Sequence, residues 1–288
     1  MSLQFEKVAG PFSGLTGGVL WDGKSVLFSA VKEEKIYQFN PGNGKTDIFR
    51  RWTGRTNGLA QGRDGSLYGA QEGGRRVIQF NPDGSTSPTL DMIDGWHHNQ
   101  PTDLVVDSRA RVWFADSRSD VLPYGPGLFP YMKINGVLRL ERDESRAWKL
   151  VQVINDTLFP RALVFSADEK TLYVADGDSS QGHAVTLRAY PLAEQDQIGK
   201  ARILYTMPEG ERGFEGLCLD KAGNLLACGG SSARGGGPRL MVFSASGSVL
   251  HSFTTPDMPM RCALGGDDLS SLYLTSADGH LYRAPYRL

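Results

Sequence analysis

The chain has 288 residues, with 31 Lys and Arg against 32 Asp and Glu and a net charge of −1. That balance offers no basic surface for a nucleic-acid backbone or an anionic membrane, and no apolar run approaches the length of a membrane span. The opening MSLQFEK lacks the basic and then apolar regions of a secretory signal, and Cys218, Cys228 and Cys262 show no metal-ligand spacing. The expectation is a cytoplasmic protein with reduced, buried thiols, Cys218 and Cys228 falling on consecutive strands of one repeat.

In chain order, the leading segment 5–8 comes before any repeat. Six times thereafter a turn precedes a short alternating strand. The turns fall at Asp22-Gly23, Asp64-Gly65, Ser108-Arg109, Asp168-Glu169, Lys221-Ala222-Gly223 and Asp267-Asp268. The strands that follow are SVLFS (25–29), SLYG (66–69), VWFA (112–115), TLYVA (171–175), NLLAC (224–228) and SLYLT (271–275). A further strand lies between successive turns, and hairpin partners such as RVIQF (76–80) complete units of roughly 40–50 residues, the spacing of propeller blades. Length alone suggests two domains, but blades cannot stand alone and no linker separates them, so residues 1–288 are predicted to form a single all-β, six-bladed β-propeller of four-stranded antiparallel blades. The last repeat is one strand short, and segment 5–8 is predicted to supply its outer strand and close the ring.

Two excursions interrupt the regularity. Residues 117–135, rich in Gly, Pro and aromatics, read as a lid or a packed surface loop, with Tyr124, Phe129 and Tyr131 as residues that would cap a channel mouth. Residues 230–238 are polar and Gly-rich and read as a mobile loop. The charged stretch 142–148 reads as a solvated hairpin turn. No Gly-x-Ser-x-Gly elbow and no phosphate-binding glycine loop ahead of a helix occurs, so serine-esterase and nucleotide chemistry have no support.

These repeats resemble the six-bladed propellers of the regucalcin/gluconolactonase (senescence-marker-protein-like) family, which also includes relatives of strictosidine synthase. The matching stretches are GGVLW (17–21), TNGL (56–59), EGGRRV (72–77), NQPTDL (99–104), residues 162–176 and EGLC (215–218). The resemblance implies lactone hydrolysis with one divalent metal (Ca, Zn or Mg) at the channel mouth. It places the ligands as a Glu at the start of the first blade, an Asn opening the fourth and an Asp opening the fifth. Those positions read Thr16 and Gly17, Arg161, and Glu215. A further channel Asn of the family reads Thr102, while Asn99 and Asp103 match. On this resemblance the chain reads as a divergent member, in which a guanidinium, which cannot coordinate a hard cation, stands at a ligand position. The expectation is that the familiar metal site is lost; a shifted site built from Glu215, Asp103 and His97 or His98 is the alternative.

The residues that open each inner strand form a ring of Thr16, Asn57, Thr102 with Asp103, Arg161, Glu215 and Arg261. The leading reading is a gluconolactonase-like hydrolase that opens a small, acidic or polar lactone. Arg161 or Arg261 would bind a carboxylate or oxyanion, and Glu215, its pKa depressed by two arginines, would be the general base. Glu215, Arg161 and Asp103 are the candidate catalytic residues; Arg261, Asn57, Thr102, His98 and Tyr124 are candidate contacts to a small-molecule substrate. Of the adjacent His97 and His98, at most one faces the channel. His183, in the loop after Asp178, is a further residue near the mouth. Two alternatives stand beside this reading. One is a metal-free isomerase or cyclase using Glu215 as acid and base. The other is a non-catalytic ligand-binding propeller in which an Arg–Glu–Arg bridge staples blades four, five and six.

Overall fold

The computed structural model describes residues 2–119, 123–124, 131–178, 182–193, 197–231 and 234–287. Every regular element among them is a strand. A leading strand, β1 (Glu6–Ala9), precedes blade one: β2 (Thr16–Trp21), β3 (Val26–Ala30), β4 (Lys35–Asn40) and β5 (Lys45–Arg51). Blade two is β6 (Thr56–Gln61), β7 (Leu67–Gln71), β8 (Arg76–Phe80) and β9 (Thr86–Pro88). A small hairpin of β10 (Met92–Ile93) and β11 (Trp96–His97) leads into blade three. That blade is β12 (Gln100–Val106), β13 (Val112–Ser117), β14 (Gly136–Arg142) and β15 (Trp148–Ile154). Blade four is β16 (Pro160–Phe165), β17 (Thr171–Asp176), β18 (Thr186–Pro191) and β19 (Arg202–Thr206). Blade five is β20 (Phe214–Leu219), β21 (Leu225–Ser231), β22 (Arg234–Phe243) and β23 (Val249–Thr254). Blade six is β24 (Pro259–Gly265), β25 (Ser271–Ser276) and β26 (Leu281–Pro285), completed by β1.

Each blade is a four-stranded antiparallel sheet, and the first strands β2, β6, β12, β16, β20 and β24 touch in that cyclic order around a channel. The result is a six-bladed propeller. β1 pairs with β26, Glu6 opposite Arg283 and Ala9 opposite Leu281, so the leading segment closes the ring as its sequence position requires. The end at which inner strands begin is called upper below.

Period-two alternation explains the packing. Phe28 packs into the cluster between blades six and one, while its neighbour Leu27 faces blade two. Likewise Leu225 and Ala227 face blade four, and Leu226 and Cys228 face blade six. One apolar cluster fills each of the six blade–blade interfaces. Each fully buried Leu or Phe there contributes roughly 1.5–3 kcal/mol.

The repeated turns are held by an aspartate. Asp22, Asp64, Asp168 and Asp268 each accept a backbone N–H from two residues ahead. In blades three and five that aspartate is Asp107 and Asp220, one residue before the turn motifs read from sequence. Asp107 also accepts from Arg111 N at 2.9 Å and from the buried Trp113 Nε1 at 2.9 Å. Asp107→Ala orphans that indole N–H as well as the turn, and is expected to cost about 2–3 kcal/mol. Urea unfolding should show it as a lower midpoint with an unchanged m-value.

Residues 230–238 are not simply a mobile loop, because β22 begins at Arg234 and pairs with β21 through Ser231 opposite Arg234 and Gly229 opposite Arg239. The register shifts between Gly229 and Ser231, where Gly230 takes φ +78 and a Cβ would meet Gly237 O at 2.0 Å. Glycine here serves a bulge inside a tall hairpin.

Candidate active site at the upper channel mouth

All six inner strands carry a register shift at the same place. The ladder slips between Thr16 and Val19, Thr56 and Gly58, Pro101 and Asp103, Pro160 and Ala162, Phe214 and Gly216, and Pro259 and Arg261. Each slip leaves an extra residue without a ladder partner. Those residues are Gly17 with Gly18, then Asn57, Thr102, Arg161, Glu215 and Met260. Bulges at the rim of a ring re-aim side chains, and here they turn one position per blade out of the ladder at the channel mouth. The ring read from sequence therefore coincides with the bulges in blades two to five. It is offset by one in blade six, where Met260 takes the position and Arg261 follows it.

Arg161 and Glu215 come together. Arg161 Nη1 donates to Glu215 Oε1 and Oε2 at 3.2 and 3.0 Å, and Nη2 donates to Asp178. Arg212 Nε donates to Glu215 Oε1 at 2.9 Å. Glu215 is buried, and Arg161 keeps 19% of its side chain exposed, its guanidinium stacked on Phe159 at 4.8 Å. Burial alone would raise the Glu215 carboxyl, but Arg161, Arg212 and Arg261 outweigh it and hold it below its ordinary value of 4.5. Burial would likewise weaken Arg161's hold on its proton; Glu215 and Asp178 reverse that and keep it charged. The bridge runs Arg161–Glu215–Arg212, so its second cation comes from the loop before β20 and not from blade six. Arg212 and Asp178 lie on connecting segments without strand periodicity, and sequence reasoning gave neither a role; their nearness in sequence to Glu215 and to β17 was the only signal.

Arg261 is used differently. Its Nη2 donates to the backbone carbonyls of Thr102 at 3.0 Å and Arg161 at 3.5 Å, and Nη1 to that of Met260 at 3.0 Å. Its Nε lies 3.4 Å from Asp103 Oδ1. The side chain thus spans the channel from blade six to blades three and four. Burial pushes the Asp103 carboxyl up to about 6, a pull that Arg261 and the amides of Leu163 and Leu104 only partly offset. Asp103 and Arg261 line a cavity on the lower side, which Glu215 and Arg161 do not.

The remaining candidates divide. Thr102 Oγ1 donates to Arg161 O at 3.0 Å, tying blade three to blade four. Asn57 is half-buried, and its Oδ1 has no hydrogen-bond partner among the described residues. His98 is fully buried with Nδ1 3.2 Å from Asp116 Oδ1, and Asp116 also accepts Asn99 N at 2.6 Å. His97 faces Asp91 at 3.4 Å. His183 N donates to Asp178 O at 3.1 Å, which places His183 beside the mouth. Tyr124 is half-exposed; its hydroxyl donates to Glu34, its N–H donates to Gly73 O at 2.8 Å, and Arg55 sits 4.5 Å from its ring centroid. Tyr124 therefore lies against the upper loops of blades two and one. Tyr131 lies under the Arg75 guanidinium at 3.7 Å, and Phe129 falls outside the described residues.

The donor set does not fit a divalent cation. Thr16 Oγ1 is committed to backbone, donating to His280 O at 2.8 Å and accepting Ser276 N at 2.9 Å. Arg161 occupies the fourth-blade position, and two guanidinium groups take the oxygens of Glu215. The alternative set does not assemble either, since Asp103 faces Arg261, His98 faces Asp116 and His97 faces Asp91. No group of three His, Cys, Asp or Glu side chains among the described residues converges to hold a metal ion.

Comparison with known proteins agrees with this architecture. The family described as SMP-30/Gluconolactonase/LRE-like region matches residues 15–278. A gluconolactonase from Zymomonas mobilis is 25% identical over 284 residues, covering 90% of this chain and 75% of that protein. A pentonolactonase from Haloferax volcanii is 27% identical over 271 residues, covering 91% and 81%. Among solved structures, a gluconolactonase from Xanthomonas campestris superposes with a TM-score of 0.83 at 22% identity, covering 99% of this chain and 90% of that one.

Proposed function

The chain belongs to the SMP-30/gluconolactonase/LRE-like family, and from that premise we propose that it opens a small polar lactone at the upper mouth of its channel. The observation that carries the reading is Arg161, a partly exposed guanidinium at the bulge of the fourth inner strand, bonded to a buried carboxylate. Its N–H groups polarise the lactone carbonyl and stabilise the oxyanion that forms. A carboxylate offers about four lone-pair sites, of which the arginines take three, leaving Glu215 one for a water. That water adds to the acyl carbon as Glu215 takes its proton. The ring C–O bond then breaks as Glu215 returns that proton to the ring oxygen, and a hydroxy acid is released. Asp103 acts through Arg261, fixing the carbonyls that carry Thr102 and Arg161. A polyhydroxylated lactone, such as the named relatives act on, suits the polar groups at this mouth.

The test is hydrolysis of a panel of aldonolactones by chelator-treated protein, with and without added divalent metal. Turnover that survives chelation is expected; turnover restored only by metal would overturn the guanidinium mechanism. The pH profile gives a second check. A base held below 4.5 is ionised above that value, so the acid limb of kcat/KM should lie below pH 4.5. Arg212→Ala removes one of the cations and should move that limb upward. A balanced Arg–Glu network also suits a purely structural staple. On that second reading Glu215→Gln lowers the melting temperature and leaves lactone affinity unchanged.

A further inference from the structure

Beneath Arg261 the channel opens into a cavity of about 430 Å³ walled by the lower halves of the inner strands. Two of its lining residues are thiols, Cys218 on β20 and Cys262 on β24, in adjacent blades. Their sulfurs lie 3.1 Å apart, about 1 Å more than a disulfide bond. The approach is built into the backbone. A Cβ on Gly216, two residues before Cys218, would lie 2.4 Å from Met260 O and 2.8 Å from Arg261 Cα, so the two inner strands run in contact here. Cys228 lies beside Cys262 on the second strand of blade five, but it is absent from the cavity wall.

The electrostatics favour one sulfur as nucleophile. The neighbouring sulfurs of Cys218 and Cys228 hold the Cys262 thiol well below its ordinary range against the opposing effect of burial, and Arg261 adds to the lowering. The bond to Cys262, with burial, pushes Cys218 up; burial, with Cys262 beside it, pushes Cys228 up.

We propose that Cys218 and Cys262 are a redox modification site, closing to a reversible disulfide when the folded protein meets a peroxide and linking the inner strands of blades five and six from within the channel. The Cys262 thiolate attacks a peroxide oxygen. The S–O bond forms as the O–O bond breaks, and the departing oxygen takes a proton to leave as water. Cys218 sulfur then attacks the resulting sulfenic acid, loses its proton, and displaces the hydroxyl as a second water. Two electrons pass from the thiol pair to the peroxide. Cys228 stays reduced. Lactone chemistry at the upper mouth is not needed for any of these steps.

The experiment treats the folded protein with hydrogen peroxide, alkylates it under denaturing conditions and maps its peptides by mass spectrometry. Alkylated cysteines should fall from three per chain to one, at Cys228, with a peptide cross-link joining Cys218 to Cys262. Dithiothreitol should restore all three. Cys228→Ala should keep the cross-link, and Cys218→Ser should stop at a sulfenic acid on Cys262 that dimedone traps. Three alkylated cysteines after treatment, or a cross-link that uses Cys228, would overturn the assignment, and the wild-type peptide map decides this without any variant.

Discussion

Arg161→Ala is expected to lower kcat/KM for lactone hydrolysis by about 10²–10³-fold, the usual cost of removing one donor aimed at a developing oxyanion. The same substitution leaves Glu215 and Asp178 without their shared cation, and breaking a buried pair of this kind costs about 3 kcal/mol. Stability and turnover must therefore be measured on the same protein, with kinetics taken well below its melting temperature. Arg161→Lys separates the two contributions: it keeps a charge beside Glu215 but loses the planar fork that reaches both carboxylates. It should recover much of the stability and little of the rate. Full activity in Arg161→Ala at temperatures where it is folded would remove Arg161 from the mechanism and leave it as a staple between blades.

The second large effect is expected from deleting residues 2–9. Their loss removes β1 and leaves β26 as a bare edge. It also uncovers the cluster joining blades five and six, against which Leu3 and Phe5 pack, and the one joining blades six and one, where Val8 and Ala9 sit. At about 1–2 kcal/mol for each of Leu3, Phe5 and Val8, the loss comes to about 3–6 kcal/mol, much of a typical domain's 5–15 kcal/mol. The truncated chain should show a urea midpoint lowered by half or more and should associate through its open edge. A permuted chain in which residues 2–9 follow residue 287 through a short turn should regain the lost stability, because β1 and β26 are antiparallel neighbours. Equal midpoints for the truncated and full-length chains would show that the fourth strand of blade six is dispensable.

The fold was legible because its signals are periodic. Alternating strands at a fixed spacing name the blades, and a last repeat lacking one strand names the partner of the leading segment. The ring positions were legible in blades two to five for the same reason, since each opens an inner strand. What alternation does not encode is a one-residue slip in pairing, and that slip decides whether Met260 or Arg261 takes the position in blade six. The cross-channel bonds of Arg261 to three carbonyls depend on a distance between blades that no local pattern contains. Arg212 and Asp178 were missed because loop residues carry no period. Residues 230–238 misled for a related reason: a glycine run has the composition of a loop whether or not its backbone pairs.

The bulged positions have a consequence for how such a mouth changes over time. A residue inside a ladder answers to a partner on the next strand, and its replacement disturbs that pairing and the face it packs against. Asn57, Thr102, Arg161 and Glu215 have no such partner, so each can be exchanged at little cost to its own sheet. Six positions around one opening, none tied to a ladder partner, amount to a set of chemical inserts on a fixed frame. A carboxamide replaced by a guanidinium at the fourth position would alter the chemistry of the opening while leaving every blade with the same four strands.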